Sequence, residues 1–191
     1  LSKRRCSSRL HGLPTSRPAA SVVGKGRGMP NWVLGIIGGS GLYQIGGLEG
    51  GRWEKVASPW GDPSDEIFRS SFAGIDLIFL PRHGRGHRIS PDHLNYRANI
   101  DVLKRAGCTD LLSISACGSL KEHISPGDFV AVDQFIDRTT SRQNSFFGEG
   151  VVAHVSLAHP VSSRLAGIAA DEAEALGIKT HRGGIYITIE G

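Results

Sequence analysis

The chain has 191 residues, 39% of them hydrophobic and 21% charged, which is enough apolar matter for one sizeable core and excludes wholesale disorder. No run approaches the roughly 18 apolar residues of a membrane span. Three cysteines without CxxC spacing argue against a secreted disulfide scaffold or a zinc ribbon and fit reduced cytosolic thiols, which places the protein in the cytoplasm.

The formal net charge of +4 is unevenly spread. Residues 1–28 carry Lys3, Arg4, Arg5, Arg9, Arg17, Lys25 and Arg27 and no acid, so the remainder is net acidic, at −3. A basic isoelectric point therefore gives no case for nucleic-acid binding by the folded part. The tail is rich in Ser, Arg, Gly and Pro and has no apolar period, so it is expected to be a disordered basic segment. The chain's one methionine, Met29, stands just before the first core-like strand and is favoured as the natural start, which makes the tail translated upstream sequence. A mitochondrial transit peptide is the second reading, and an arm touching nucleic acid the third.

From Met29 onward, strands and helices alternate. Residues 33–37 form a continuous apolar run ending in Gly38, Gly39, Ser40 and Gly41, a buried strand that empties into a glycine loop. Residues 66–73 and 75–80 read as two strands with a hairpin turn at Ala73 and Gly74. The second is nearly all apolar, hence central, and runs into the polar loop Arg82–His87. A helix is expected over 93–106, capped by Asp92 and stopped by Gly107. Strands follow at 110–115, 129–136 and 151–157, with a polar loop over 138–150. A helix capped by Ser162 or Ser163 runs to about Leu176, and a last strand spans 185–189.

Three apolar strands thus end in loops of Gly, Ser, Arg and His: 38–41, 82–87 and 115–119. In open α/β sheets, ligands sit beyond the carboxyl ends of strands. Small residues let backbone N–H groups approach an anion, and a guanidinium adds a planar charged fork. Each loop taken alone has a bland reading. Gly38–Gly41 is equally a tight strand exit, and Arg82 with His83 is equally a surface pair. A dinucleotide fingerprint fails at Gln44, where the third glycine belongs, which weakens a Rossmann-type oxidoreductase. No Gly-Lys-Ser/Thr follows, so there is no P-loop. His83, His87 and His93 match no common zinc spacing, so no metal is expected. Ser119 lacks a nucleophile elbow, and Cys117 reads as a small packing residue.

Six segments together carry a resemblance: Gly35–Leu42 (GIIGGSGL), Arg82–His87 (RHGRGH), Asn95–Asn99 (NYRAN), Ser115–Leu120 (SACGSL), Pro126–Asp128 (PGD) and Asp133–Thr139 (DQFIDRT). Their order and spacing resemble the 5′-methylthioadenosine phosphorylase family, within the trimeric purine nucleoside phosphorylases, over about residues 33–191. The resemblance implies an α/β fold: a mixed β-sheet forming a partial barrel flanked by helices, incomplete at the C-terminus. Residues 29–191 would be the N-terminal part of a single phosphorylase domain.

The implied activity is phosphorolysis of 5′-methylthioadenosine to adenine and 5-methylthioribose 1-phosphate, in purine and methionine salvage. No cofactor is implied, inorganic phosphate being a co-substrate. The phosphate-binding residues would be Ser40, Arg82, His83, Ser115 and Ala116. His154 would line the substrate pocket of a neighbouring subunit in a homotrimer. The purine-binding Asp of the family would lie beyond Gly191, which leaves purine specificity open. A sister purine nucleoside or methylthioinosine phosphorylase, and an inactive phosphate-binding fragment, stay as alternatives.

Overall fold

The computed structural model describes residues 32–39 and 48–190. The basic tail, Met29 and Ser40 lie outside the described residues, and so do the expectations attached to them.

The apolar run at Val33–Gly38 is strand β1, and Ile75–Pro81 is β4. Between them, β2 (Glu49–Glu54) and β3 (Ile67–Phe72) complete one edge of a five-stranded sheet ordered β2-β3-β4-β1-β5, with β5 at Asp110–Ser113. The sheet is mixed: β2 with β3 and β3 with β4 pair antiparallel, whereas β4 with β1 and β1 with β5 pair in parallel. As expected from its apolar sequence, β4 is the central strand. The β3–β4 hairpin turns at Ala73 (φ 48°) and Gly74 (φ 79°), the paired positive φ angles of a tight two-residue turn that matches strand twist. Sequence reasoning missed β2, whose two glycines and irregular register hide its alternation.

The core forms where this sheet meets helix α1 (Tyr96–Arg105). Val33, Ile37, Ile67, Ile78 and Leu80 from the strands pack with Val102 and Leu103 of the helix. The helix starts later than the sequence suggests. Pro91–His93 forms a 3-10 turn, Leu94 is extended, and the cap is Asn95, whose side chain accepts from Ala98 N–H at 3.1 Å; Asp92 is not the cap.

The expected strand over 129–136 is two strands, β6 (Phe129–Ala131) and β7 (Gln134–Asp137). They pair in parallel with β8 (Thr180–Arg182) and β9 (Ile185–Thr188) respectively. The break falls opposite Gly183 and Gly184, both at positive φ, where the Asp133 carboxylate accepts from Gly184 N–H at 3.0 Å. Helix α2 (Ser163–Ala175) packs on β6 and β8, capped as expected by Ser162. Residues 152–157 form no strand; the exposed Val152, Val155 and Leu157 have no partner strand among the described residues. The described strands form an open sheet and two short pairs, with no closed barrel. No helix among the described residues is long and apolar enough to cross a membrane.

Candidate functional site

Because β4, β1 and β5 are adjacent and parallel, their carboxyl ends lie along one edge of the sheet. The backbone shows the convergence: Arg82 N–H donates to Gly38 O at 3.0 Å, and Ile114 N–H to Ile37 O at 2.9 Å. Arg82 then reaches across, and its guanidinium donates to the carbonyl of Ile114.

A cleft of about 450 Å³ opens at this edge. Arg82 and His83 line it from the β4 exit, Ser113 and Ser115 from β5, and Tyr186 to Glu190 from β9 and its exit. Pro91, Leu94, Tyr96 and Arg142 close the remaining side. Three of the expected anion-binding residues, Arg82, His83 and Ser115, therefore share one cavity. Ala116 is exposed in the same loop but is not part of the lining. His154 is exposed in the 152–157 segment and is not brought to the cleft. Among the described residues no group of three or more His, Cys, Asp or Glu side chains is arranged to hold a metal ion.

The two arginines of the cleft differ in how their charge is met. Arg142 is only 10% exposed, donates to Asp92 at 3.0 Å, lies 4.0 Å from Glu190 and stacks over the Tyr96 ring. Its charge is balanced inside the protein. Arg82 makes no ion pair among the described residues, and burial pulls its guanidinium below the usual arginine range. A partly buried cation without a carboxylate is costly unless a ligand supplies the counter-charge. Beside it, His83 Nδ1 sits 2.8 Å from Ile89 O. A carbonyl oxygen only accepts, so Nδ1 carries the proton and Nε2 is left without a hydrogen-bond partner among the described residues.

Sequence reasoning missed Arg142, Tyr96 and Glu190, which come together only through long-range contacts. The Glu190 carboxylate accepts from the backbone N–H of Thr140 and from Ser141 N–H at 2.8 Å, and from both hydroxyls at 3.0 Å. These bonds, the two backbone N–H donors first, hold Glu190 down at about 2 against an ordinary value of 4.5. A depressed carboxylate contributes fully above its unfolded value, so this latch on the 138–142 loop is complete above pH 4.5 and is lost as the pH falls toward 2. The amide NMR signals of Thr140 and Ser141 are expected to titrate with that low midpoint and to stay flat in Glu190→Gln. A midpoint near 4.5 would show that the latch does not form.

Residues 33–191 match the family model described as the Phosphorylase superfamily. The chain is 61% identical over 163 residues to the S-methyl-5′-thioadenosine phosphorylase of Bradyrhizobium diazoefficiens, covering 85% of this chain and 56% of that relative. It is 59% identical over 159 residues to the enzyme of that name from Cereibacter sphaeroides, covering 83% and 55%. Among solved structures, a methylthioadenosine phosphorylase from an antarctic soil metagenomic library superposes with a TM-score of 0.79 at 44% identity, covering 85% of this chain and 58% of the other. An adenosine/methylthioadenosine phosphorylase from Schistosoma mansoni gives 0.78 at 35% identity, covering 84% and 63%. The chain thus spans about half the length of the curated relatives it matches. With the matched segment running from β1 through β9, the chain belongs to the Phosphorylase superfamily.

Proposed function

We propose that the chain holds the phosphate-binding part of a site that cleaves 5′-methylthioadenosine by phosphorolysis. The observation that carries this is Arg82, a cleft cation with no carboxylate among the described residues, in a chain about 60% identical to S-methyl-5′-thioadenosine phosphorylases. Arg82, His83 and Ser115 then hold phosphate beneath C1′ of the nucleoside. Ser40 and the backbone at Ala116 complete the set of donors.

The chemistry follows from the charge. The C1′–N9 bond breaks with its electron pair leaving on adenine, and positive charge develops on the sugar. The phosphate dianion stabilises that charge and forms the new C1′–O bond, giving 5-methylthioribose 1-phosphate. Adenine takes up one proton, and hydrogen phosphate gives up one as it becomes the ester, so the step balances. The protein's share is positioning and electrostatic stabilisation, each charge-assisted bond contributing about 1.5–3 kcal/mol. The reaction runs without metal or organic cofactor, in the cytoplasm, in purine and methionine salvage.

The working form is a homotrimer in which His154 borders a neighbouring subunit's pocket. Val152 and Val155, 81% and 73% exposed, support a cover over this segment, since monomers rarely leave such apolar stretches bare. The test uses a version extended to the relatives' length. It is expected to sediment as a trimer and to release adenine from methylthioadenosine only when phosphate is present. Hypoxanthine release from methylthioinosine, with none of adenine from methylthioadenosine, would replace this reading by the sister enzyme.

A further inference from the structure

The loop that presents Arg82 and His83 is an awkward piece of backbone. Gly84, Gly86 and His87 all have positive φ (71°, 79° and 55°), a conformation that a side chain such as histidine adopts only at a cost. Internal bonds from Gly84 N–H to Pro81 O, His87 N–H to Gly84 O and Ile89 N–H to His83 O close the turn but do not fix where it sits.

At its start the loop is tied to the sheet by Arg82 N–H to Gly38 O at 3.0 Å; past that point it is held from below by Asp65, whose side chain is 5% exposed. Asp65 Oδ2 accepts the backbone N–H of Arg85 at 2.6 Å, and Oδ1 accepts Arg85 Nε at 3.1 Å and Nη2 at 2.8 Å. Asp65 thereby grips the loop three residues past Arg82. Next to it, Ser64 O accepts Arg88 Nη2 at 3.0 Å and lies 2.9 Å from the point where a Cβ on Gly84 would stand. Any side chain at position 84 would push the loop off this footing.

The footing is itself anchored. Ser64 N–H donates to Asn99 Oδ1 and Asn99 Nδ2 donates to Ser64 Oγ, both at 2.8 Å, with Ser64 and Asn99 1% and 3% exposed. A continuous chain of bonds therefore runs from helix α1 through Ser64 and Asp65 to the loop.

The bland reading is a surface ion pair, because Arg85 is 45% exposed and stacks on Trp53 at 4.1 Å. Two features exceed it. The carboxylate binds a backbone N–H as well as the guanidinium, and it is buried whereas its partner is not. Burial disfavours the ionised form of Asp65, yet bonds from the Arg85 side chain and backbone and from Glu66 N–H hold it below the usual carboxylate range. The charges also close locally: Asp65 and Glu66 face Arg85 and Arg88, so the platform leaves the charge of Arg82 intact.

We propose that Asp65 is a positioning residue for the oxyanion site: by gripping Arg85 it sets the loop from which Arg82 and His83 enter the cleft. This rests on the phosphate reading given above. Asp65 touches no ligand and acts through the geometry of those two residues, where a displacement of about 1 Å is enough to cost up to a hundredfold.

The experiment titrates inorganic phosphate into the 191-residue chain by calorimetry, with amide exchange followed in parallel. Asp65→Ala is expected to weaken phosphate by about tenfold or more and to deprotect Ile89 N–H, while the amides of α1 keep their protection. Asp65→Asn retains an oxygen for Arg85 N–H and is expected to recover part of the affinity. Arg85→Ala keeps the backbone bond and is expected to lose less than Asp65→Ala. A lower melting temperature with unchanged phosphate affinity would assign Asp65 a structural role only and overturn the proposal, leaving the phosphate reading standing. Should Asp65→Ala fail to fold, Asp65→Asn decides, wild-type affinity overturning the proposal and weakened affinity supporting it. A wild-type chain that binds no phosphate overturns the reading of the site, and the proposal with it.

Discussion

Arg82→Ala is expected to weaken phosphate binding by roughly 10- to 150-fold, the equivalent of the 1.5–3 kcal/mol of a charge-assisted bond. Its effect on folding should be small, within about 0.5 kcal/mol, as for other sites with few native partners. The side chain's one bond among the described residues runs to Ile114 O, and its removal also relieves the desolvation of a cation without a carboxylate. Affinity and stability are thereby separated, which the same change at Arg142 would not achieve, since that guanidinium ties Asp92 to the 138–150 loop. Arg82→Lys keeps the charge but not the planar fork and should restore only part of the loss. Calorimetric titration with phosphate beside a thermal melt reads both quantities. In a version extended to the relatives' length, the Michaelis constant for phosphate should rise much more than that for nucleoside. Phosphate affinity unchanged by Arg82→Ala would remove this residue from the site.

What the sequence reveals of this site follows from periodicity and punctuation. Short apolar-rich segments that empty into loops of Gly, Ser, Arg and His marked β1, β4 and β5, and the sheet order places those three side by side. Arg82, His83 and Ser115 were legible because a strand exit is a local feature. Asp65, Arg142 and Glu190 were not, because each acts through a partner 20 to 50 residues away, and no local spacing records such a pairing.

The errors in the fold have the same origin. The apolar stretch over 129–136 is interrupted only by Asp133 and Gln134, too short a break to show that its two halves pair with different strands; the rest of the signal lay in Gly183 and Gly184, on the opposing segment. The apolar residues of 151–157 read as a strand because apolar patterning reports that a segment is to be covered, not what covers it. Asp92 lost the helix cap to Asn95 because Pro91 starts a 3-10 turn that ends before the helix begins.

Leu80→Ala is expected to cost about 2–5 kcal/mol, a large share of the 5–15 kcal/mol that holds a typical domain together. Leu80 is fully buried on the central strand, in register with Ile37 of β1, and belongs to the core cluster with Val33, Ile67, Ile78, Val102 and Leu103. Hydrogen-bonded strands on both sides limit how far the backbone can close on the space of a lost isobutyl group. For a chain of this size the melting temperature should fall by roughly 5–20 °C. The substitution also sits two residues before Arg82, whose N–H is tied to Gly38 at the adjoining strand end. Relaxation of β4 into the cavity therefore moves the anion site, and phosphate affinity should fall among molecules that remain folded. Leu103→Ala, in the same cluster but on helix α1, provides the contrast: a comparable loss of stability with little change in phosphate affinity. A Leu80→Ala chain that melts with the wild type would place the stabilising core elsewhere. Equal losses of phosphate affinity in both variants would show that the site responds to stability in general, and not to the strand that carries it.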